Sequence, residues 1–140
     1  MPSVFTLIIA GELPGRFVWK DEHCVAFLSI NPIRPGHVLV VPRDEIDHWI
    51  DLPEELAAHL MQVSRKIGQA LQQAFSPEKV GVMIAGLEVA HVHLHLIPIE
   101  GLGDMNFANA DPDPDPGALD AAAGAVRAAL MGLGHPEVSD

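Results

Sequence analysis

The stretch His91-Val92-His93-Leu94-His95-Leu96-Ile97-Pro98 constrains this chain more than any other. Polar and apolar residues alternate with the two-residue period of a β-strand, whose successive side chains point to opposite faces. Val92, Leu94 and Leu96 then enter a core. His91, His93 and His95 stand in one row on the other face, with Cα atoms roughly 6.5–7 Å apart. A strand with one apolar side needs a layer to cover it, so the chain requires a sheet with other elements packed against it. The pattern predicts this strand over Val89 to Ile99, with a break at Gly86 and a further strand over Val80 to Ala85.

The remaining segments supply those layers. Glu12-Leu13-Pro14-Gly15 reads as a turn. Arg16–Lys20 and Cys24–Leu28, separated by Asp21-Glu22-His23, read as a hairpin. Asn31-Pro32 and Arg34-Pro35-Gly36 make a rigid connection to a buried strand, His37–Val41, which stops at Pro42. Asp51-Leu52-Pro53-Glu54-Glu55 reads as a helix start, with Asp51 or Leu52 at the cap and Pro53 near the first helical position. Leu56, Leu60, Val63, Ile67, Leu71 and Phe75 recur every three or four residues, one apolar stripe on a long helix that ends near Ser76-Pro77. Asp111–Gly117 is an extended Asp-Pro run. Leu119, Ala122, Ala123, Val126, Leu130 and Leu133 then mark a terminal helix ending near Gly132 or Gly134. The expectation is an α+β fold with a largely antiparallel sheet: a main domain over 1–110, then an acidic linker and C-terminal helix over 111–140.

Composition narrows the function. Apolar residues are 49% of the 140, enough for one core. The formal charge of −11 repels phosphate backbones at long range, which argues against nucleic-acid binding, though local donors can still hold a small nucleotide. No apolar run is long enough to span a bilayer, so no membrane partner is expected. The first residues lack a signal-peptide pattern, and the single cysteine, Cys24, has no partner within the chain. Both features point to the cytoplasm.

Three imidazoles on one face can do specific chemistry. An ordinary imidazole, with pKa near 6.5, is mostly neutral and nucleophilic at neutral pH. His93 can attack the α-phosphorus of a nucleotide, and water can then hydrolyse the labile phosphoramidate. Its neighbours can bind phosphate oxygens, orient the attacking ring or move protons. The attacking ring needs its other N–H held by an acceptor, such as a backbone carbonyl. No metal or cofactor is needed. Two other readings remain open at this point: a zinc site built from the three histidines, and a polar strand face with no chemistry. His23, His48, His59 and His135 have no evident companions and read as surface or capping residues. Trp19 and Trp49 read as core or interface residues. Phe107 reads as either a cleft or a core residue.

His91 through Ile97 resembles the motif of the histidine triad (HIT) family at every position, within the family's nucleotide-binding branch. The likeness extends over roughly residues 4 to 100, through Val4–Pro14, Cys24–Phe27, Pro35–Pro42 and Gly86–Ala90. It implies a homodimer with one sheet continued across the interface, and hydrolysis or transfer at the α-phosphate of purine nucleotide conjugates, such as an adenosine 5'-monophosphoramidate. It implies that His93 forms the covalent nucleotidyl intermediate, with His91 and His95 as catalytic partners. His37 corresponds to a fourth histidine, Ile30 to an apolar residue against the base, and the Val89 N–H to a phosphate donor.

The chain departs from the family at several positions. Ser29 replaces a ribose-binding acid. Leu87 replaces a glutamine, Glu88 replaces a polar phosphate-side residue, and the loop before Gly86 is shorter. A protonated Glu88 can supply a proton to a leaving group, whereas an ionised one repels phosphate. Ser3, Thr6 and Glu45 stand where many bacterial members carry zinc ligands, so no structural zinc is expected. Cys24 is expected beside His37 and the triad. Alternatives to the enzyme are a catalytically weak nucleotide-binding or regulatory protein, and a metal-binding protein using the three histidines.

Overall fold

The computed structural model describes residues Met1–Asp140. Five strands form one antiparallel sheet: β1 (Phe17–Lys20), β2 (Cys24–Leu28), β3 (Val38–Pro42), β4 (Lys79–Met83) and β5 (Leu94–Ile99), in the order β1-β2-β3-β5-β4. Three helices accompany it: α1 (Val4–Ile9), α2 (Glu54–Phe75) and α3 (Pro116–Gly132). No helix is long and apolar enough to cross a membrane.

Each face of the sheet has its own cover. Cys24, Ala26, Leu28, Val38, Val40, Leu94 and Leu96 point to one side, where they join Leu60, Val63, Ile67 and Leu71 of α2 and Ala123, Val126 and Leu130 of α3 in the main core. Val25, Phe27, Leu39 and Val41 point to the other side and pack against Phe5 and Ile8 of α1. The alternation holds through β2 and β3 because both of their faces are covered, which is why all ten of their residues are buried. A register shift between Phe17 and Trp19 turns both Val18 and Trp19 into the main core.

The long helix follows its predicted stripe. Its start is one step later than expected, with Pro53 at the N-cap position and a single 3-10 turn over Trp49–Asp51 before it. Asp115 caps α3 by accepting from the Ala118 N–H, and Pro116 occupies its first turn, so the Asp-Pro run becomes helical sooner than its composition suggests. α1 has no periodic signal in the sequence to announce it. Ser3 caps it through the Thr6 N–H at 3.0 Å.

The strand that carries the histidines differs most from expectation. β5 begins at Leu94, not Val89, and β4 ends at Met83. Val40 pairs with Leu94, so the same register carried two residues further would set Val92 against Pro42. A proline has no N–H to extend the ladder. The Pro42 carbonyl instead accepts from His91 Nε2 at 2.8 Å, and the Val92 N–H donates to the Ile46 carbonyl at 2.7 Å. The inward side chains still alternate: Val92, Leu94 and Leu96 all reach the main core. The histidines keep the opposite side, but only His95 lies within the strand.

Candidate active site

On the α1 side of the sheet lies a cleft of about 540 Å³. His37, Ser29, Ile30, Glu88, Val89, His93 and His95 all line it. His91 does not: it is fully buried beneath the cleft wall. Phe5, Ile8, Phe27 and Leu39 form an apolar floor, and Phe107, Asp111 and Pro112 add a wall from the chain after β5. Leu87 is 95% exposed and stands outside the cleft.

The hydrogen bonds assign a tautomer to each ring. A carbonyl oxygen only accepts, so a ring nitrogen bonded to one must carry the proton. His93 Nδ1 lies 2.8 Å from the His91 carbonyl and therefore donates to it. In the neutral ring, Nε2 of His93 then holds a free lone pair. The Ile33 N–H donates to His37 Nδ1 at 3.1 Å, which leaves the His37 proton on Nε2. That proton points to His95 Nδ1 at 2.9 Å, so the His95 proton is on its own Nε2. One backbone amide thus sets two imidazoles in series, and His95 is left as a donor beside the acceptor nitrogen of His93. The two rings sit edge-on, with centroids 4.8 Å apart.

These rings are neutral for a common reason. Burial disfavours the charged form, which pushes the His37 pKa down to about 4 and that of His95 to about 3. Each neighbouring histidine lowers them further by like-charge repulsion. Burial also lowers the pKa of His93, partly offset by the hydrogen bond to the His91 carbonyl and by the negative charge of Glu88.

His91 is held from behind. Its Nε2 donates to the Pro42 carbonyl, so Nδ1 accepts from Ser3 Oγ at 2.6 Å. The Glu45 carboxylate in turn accepts from the Ser3 N–H at 2.5 Å and from Thr6 Oγ1 at 2.8 Å. These bonds hold the Glu45 carboxyl below its ordinary pKa range. With both its nitrogens occupied, His91 is turned away from His93 and His95, and the three rings do not converge on a point. Phe5 packs edge-on against both His91 and His93, at 5.7 and 4.8 Å. The N-terminal segment is therefore part of the site's support, and only the family likeness of Val4–Pro14 hinted at that role.

Other segments fall differently from expectation. Phe107 packs on the His95 ring at 4.9 Å, which decides for the cleft over the core. The Asp-Pro run is not simply extended into solvent, because the Asp111 N–H donates to the Pro32 carbonyl at 2.9 Å and Asn31 Nδ2 donates to the Asp111 carbonyl at 3.0 Å. Ser29 Oγ accepts from the Asn31 N–H at the cleft edge. The Val89 N–H donates to no group of the chain. Cys24 is not beside His37: it points into the main core from the opposite face of the sheet. His59 is not solitary, since its Nε2 lies 2.8 Å from the Asp21 carboxylate, and His135 packs on Trp19.

Comparison with known proteins places this geometry. Residues 10–101 match the model of the HIT domain. The chain belongs to the HIT family. It is 37% identical over 106 residues to Protein hit of Bacillus subtilis, covering 72% of this chain and 73% of that one. It is 31% identical over 96 residues to the adenosine 5'-monophosphoramidase HNT1 of Saccharomyces cerevisiae, covering 68% of this chain and 61% of the yeast protein. A zinc-bound histidine triad family protein from Mycobacterium smegmatis superposes with a TM-score of 0.80 at 28% identity, over 93% of this chain and 94% of that one. The α+β architecture with its five-stranded antiparallel sheet is that of the HIT structures.

Proposed function

We propose that this chain is a nucleotide hydrolase or transferase acting at the α-phosphate of purine nucleotide conjugates, with His93 Nε2 as the attacking atom. Adenosine 5'-monophosphoramidates are the preferred substrate class, a reading supported by the likeness to the yeast phosphoramidase. The single observation that carries the proposal is the bond from His93 Nδ1–H to the His91 carbonyl, which turns the basic nitrogen of a neutral ring into the cleft.

The reaction runs in two displacements. The Nε2 lone pair of His93 forms a bond to phosphorus while the bond from phosphorus to the leaving amine breaks, and the amine takes a proton as it departs. That proton comes from solvent at the open cleft mouth, where Glu88 stands exposed. The phosphorylated ring is cationic, and the His91 carbonyl stabilises it through the shared Nδ1 proton. The Nε2–H of His95 and the N–H of Val89 donate to phosphoryl oxygens as negative charge builds on them. Water then attacks phosphorus and gives up a proton to solvent, the bond to Nε2 breaks, and nucleoside monophosphate leaves with neutral His93 restored. Ile30, 68% exposed at the rim, packs against the base, and Ser29 bonds a ribose hydroxyl. The one buried cysteine fits a reducing cytoplasm.

The test is a quenched reaction with an adenosine 5'-phosphoramidate, followed by mass measurement of the chain. The expected result is a transient adenylyl adduct that maps to His93. His93→Ala should lower turnover by on the order of a thousand-fold or more while nucleotide binding persists. Product formation at an undiminished rate by that variant overturns the covalent route. Nucleotide binding with neither adduct nor product favours a binding or regulatory protein instead.

A further inference from the structure

The face of the sheet opposite the cleft carries a second cluster of chemically capable side chains, which the proposed reaction does not use. Asp21 lies in the β1–β2 turn, Cys24 opens β2, and His59 projects from the first turns of α2. One oxygen, one sulfur and one nitrogen from these residues all lie within 4.8 Å of one another. Cys24 Sγ is 3.5 Å from Asp21 Oδ2, and His59 Nε2 is 2.8 Å from the same oxygen. Such a set, one thiol with one imidazole and one carboxylate, mixes the ligand types that zinc and similar borderline-soft divalent ions take.

The surroundings suit a cation. Asp21 is held in place by four donors besides the Cys24 thiol: its Oδ1 accepts from the His23 and Cys24 N–H groups, and its Oδ2 from Trp19 Nε1 at 2.8 Å and from His59. The Trp19 bond orients the carboxylate from behind, as outer-shell partners do at metal centres. The His23 ring lies 5.2 Å from the His59 ring on the solvent side. A cavity of about 410 Å³ opens there, lined by His23 and His59 and by the acids Glu22, Asp44 and Glu55, with Arg43 the one opposing charge. Without a cation, burial and the Asp21 carboxylate push the Cys24 thiol far above its ordinary pKa, so the group is inert as a nucleophile.

We propose that Asp21, Cys24 and His59 form a divalent-metal site of zinc type, with the fourth position facing the cavity and open to His23 or water. A tetrahedral zinc with bonds of about 2.0–2.3 Å separates its ligand atoms by roughly 3.3–3.7 Å. The sulfur–oxygen distance already falls there, and the 2.8 Å contact between His59 and Asp21 opens by rotation of the half-buried imidazole as the ion enters. Binding replaces the S–H proton of Cys24, which passes to solvent. The remaining proton of neutral His59 moves to Nδ1. The site has no residue in common with the triad cleft, so it acts on the hairpin and α2 and not on the reacting phosphate.

The test uses the full chain, made without an affinity tag and stripped with chelator, titrated with Zn²⁺ and with Co²⁺. One equivalent should bind. The cobalt form should show thiolate-to-metal charge-transfer absorption in the near ultraviolet. Cys24 is the only cysteine of the chain, so that band reports this site alone. It should vanish in Cys24→Ser, and His59→Gln should weaken binding by at least about ten-fold while turnover at the triad is unchanged. Cys24→Ala, monitored by circular dichroism, serves where the serine variant fails to fold. Absence of the band in the wild-type chain, or zinc affinity unchanged in His59→Gln and Cys24→Ala, overturns the proposal.

Discussion

His37 and His95 give up the option of charge when the chain folds, and stability must therefore depend on pH. Their folded pKa values, about 4 and about 3, lie below the ordinary value near 6.5. Between these limits the unfolded chain binds protons that the folded one does not. Stability is therefore fully present above about pH 6.5 and falls as pH drops toward 4, by at most about 1.4 kcal/mol per pH unit for each ring. Denaturant unfolding at pH 7 and pH 5 should show this loss, and His37→Asn should make the slope shallower. An equal slope in that variant would mean that other groups carry the dependence. Ser3 calls for a second test, because its hydroxyl is the only donor to His91 Nδ1. Ser3→Ala leaves a buried acceptor unsatisfied and removes a helix cap, together about 2–4 kcal/mol of destabilisation. If the proposed reaction holds, a slackened His91 also loosens the carbonyl that fixes the His93 tautomer. kcat should then fall several-fold with KM little changed, and Ser3→Thr should restore most of it. Loss of stability with kcat intact would limit Ser3 to a structural role.

At the scale of elements, two backbone positions control how the helices and strands meet. Gly36 has φ +90°, and an added Cβ would lie 2.6 Å from the Phe75 ring at the end of α2. Gly36→Ala thus combines left-handed strain with a clash next to His37, and unfolding should show a loss of about 2–4 kcal/mol. Ser76, the C-cap of α2, sits at φ 49° and ψ 47°. Ser76→Gly relieves that conformation and should stabilise by about 0.5–1 kcal/mol, read as a higher melting temperature. Much of this layer was legible in advance. The hairpin, β3, the stripe of α2 and the terminal helix follow from local periodicity, which needs no knowledge of partners. The short helix α1 was not legible, since six residues cannot hold a helix without the sheet beneath them. The alternation of His91 to Leu96 overstates the length of β5, because it is real along the chain whereas pairing depends on Pro42, fifty residues earlier. The placement of Cys24 depends on the phase of β2: its neighbour Val25 faces the triad side, and a one-residue change of phase exchanges the faces.

At the scale of the whole molecule, the two edges of the sheet are unequal. The outer edge of β1 is covered by the chain's own end: the Lys20 N–H donates to the Glu137 carbonyl at 2.9 Å, and the Ser139 N–H to the Val18 carbonyl at 3.4 Å. β4 is the other edge, and it has no neighbour on its outer side. An open edge with unpaired N–H and C=O groups is a template for another strand. Val82 on that edge is 45% exposed despite being β-branched and apolar. We propose that a second copy of the chain adds there, β4 against β4, to continue the sheet through a homodimer. Two copies carrying −11 each repel one another, so association should strengthen as salt screens that charge. Sedimentation at low and moderate ionic strength should show a dimer favoured by salt. Val82→Pro removes an edge N–H and Val82→Glu adds repulsion at the junction, so either should shift the equilibrium to monomer while the monomer stays folded. A dimer that survives both substitutions would have to form on another surface. The triad geometry is complete within one chain, so a monomeric variant should still form the His93 adduct if the proposed route is correct. Loss of the adduct on dissociation would instead show that the partner completes the cleft.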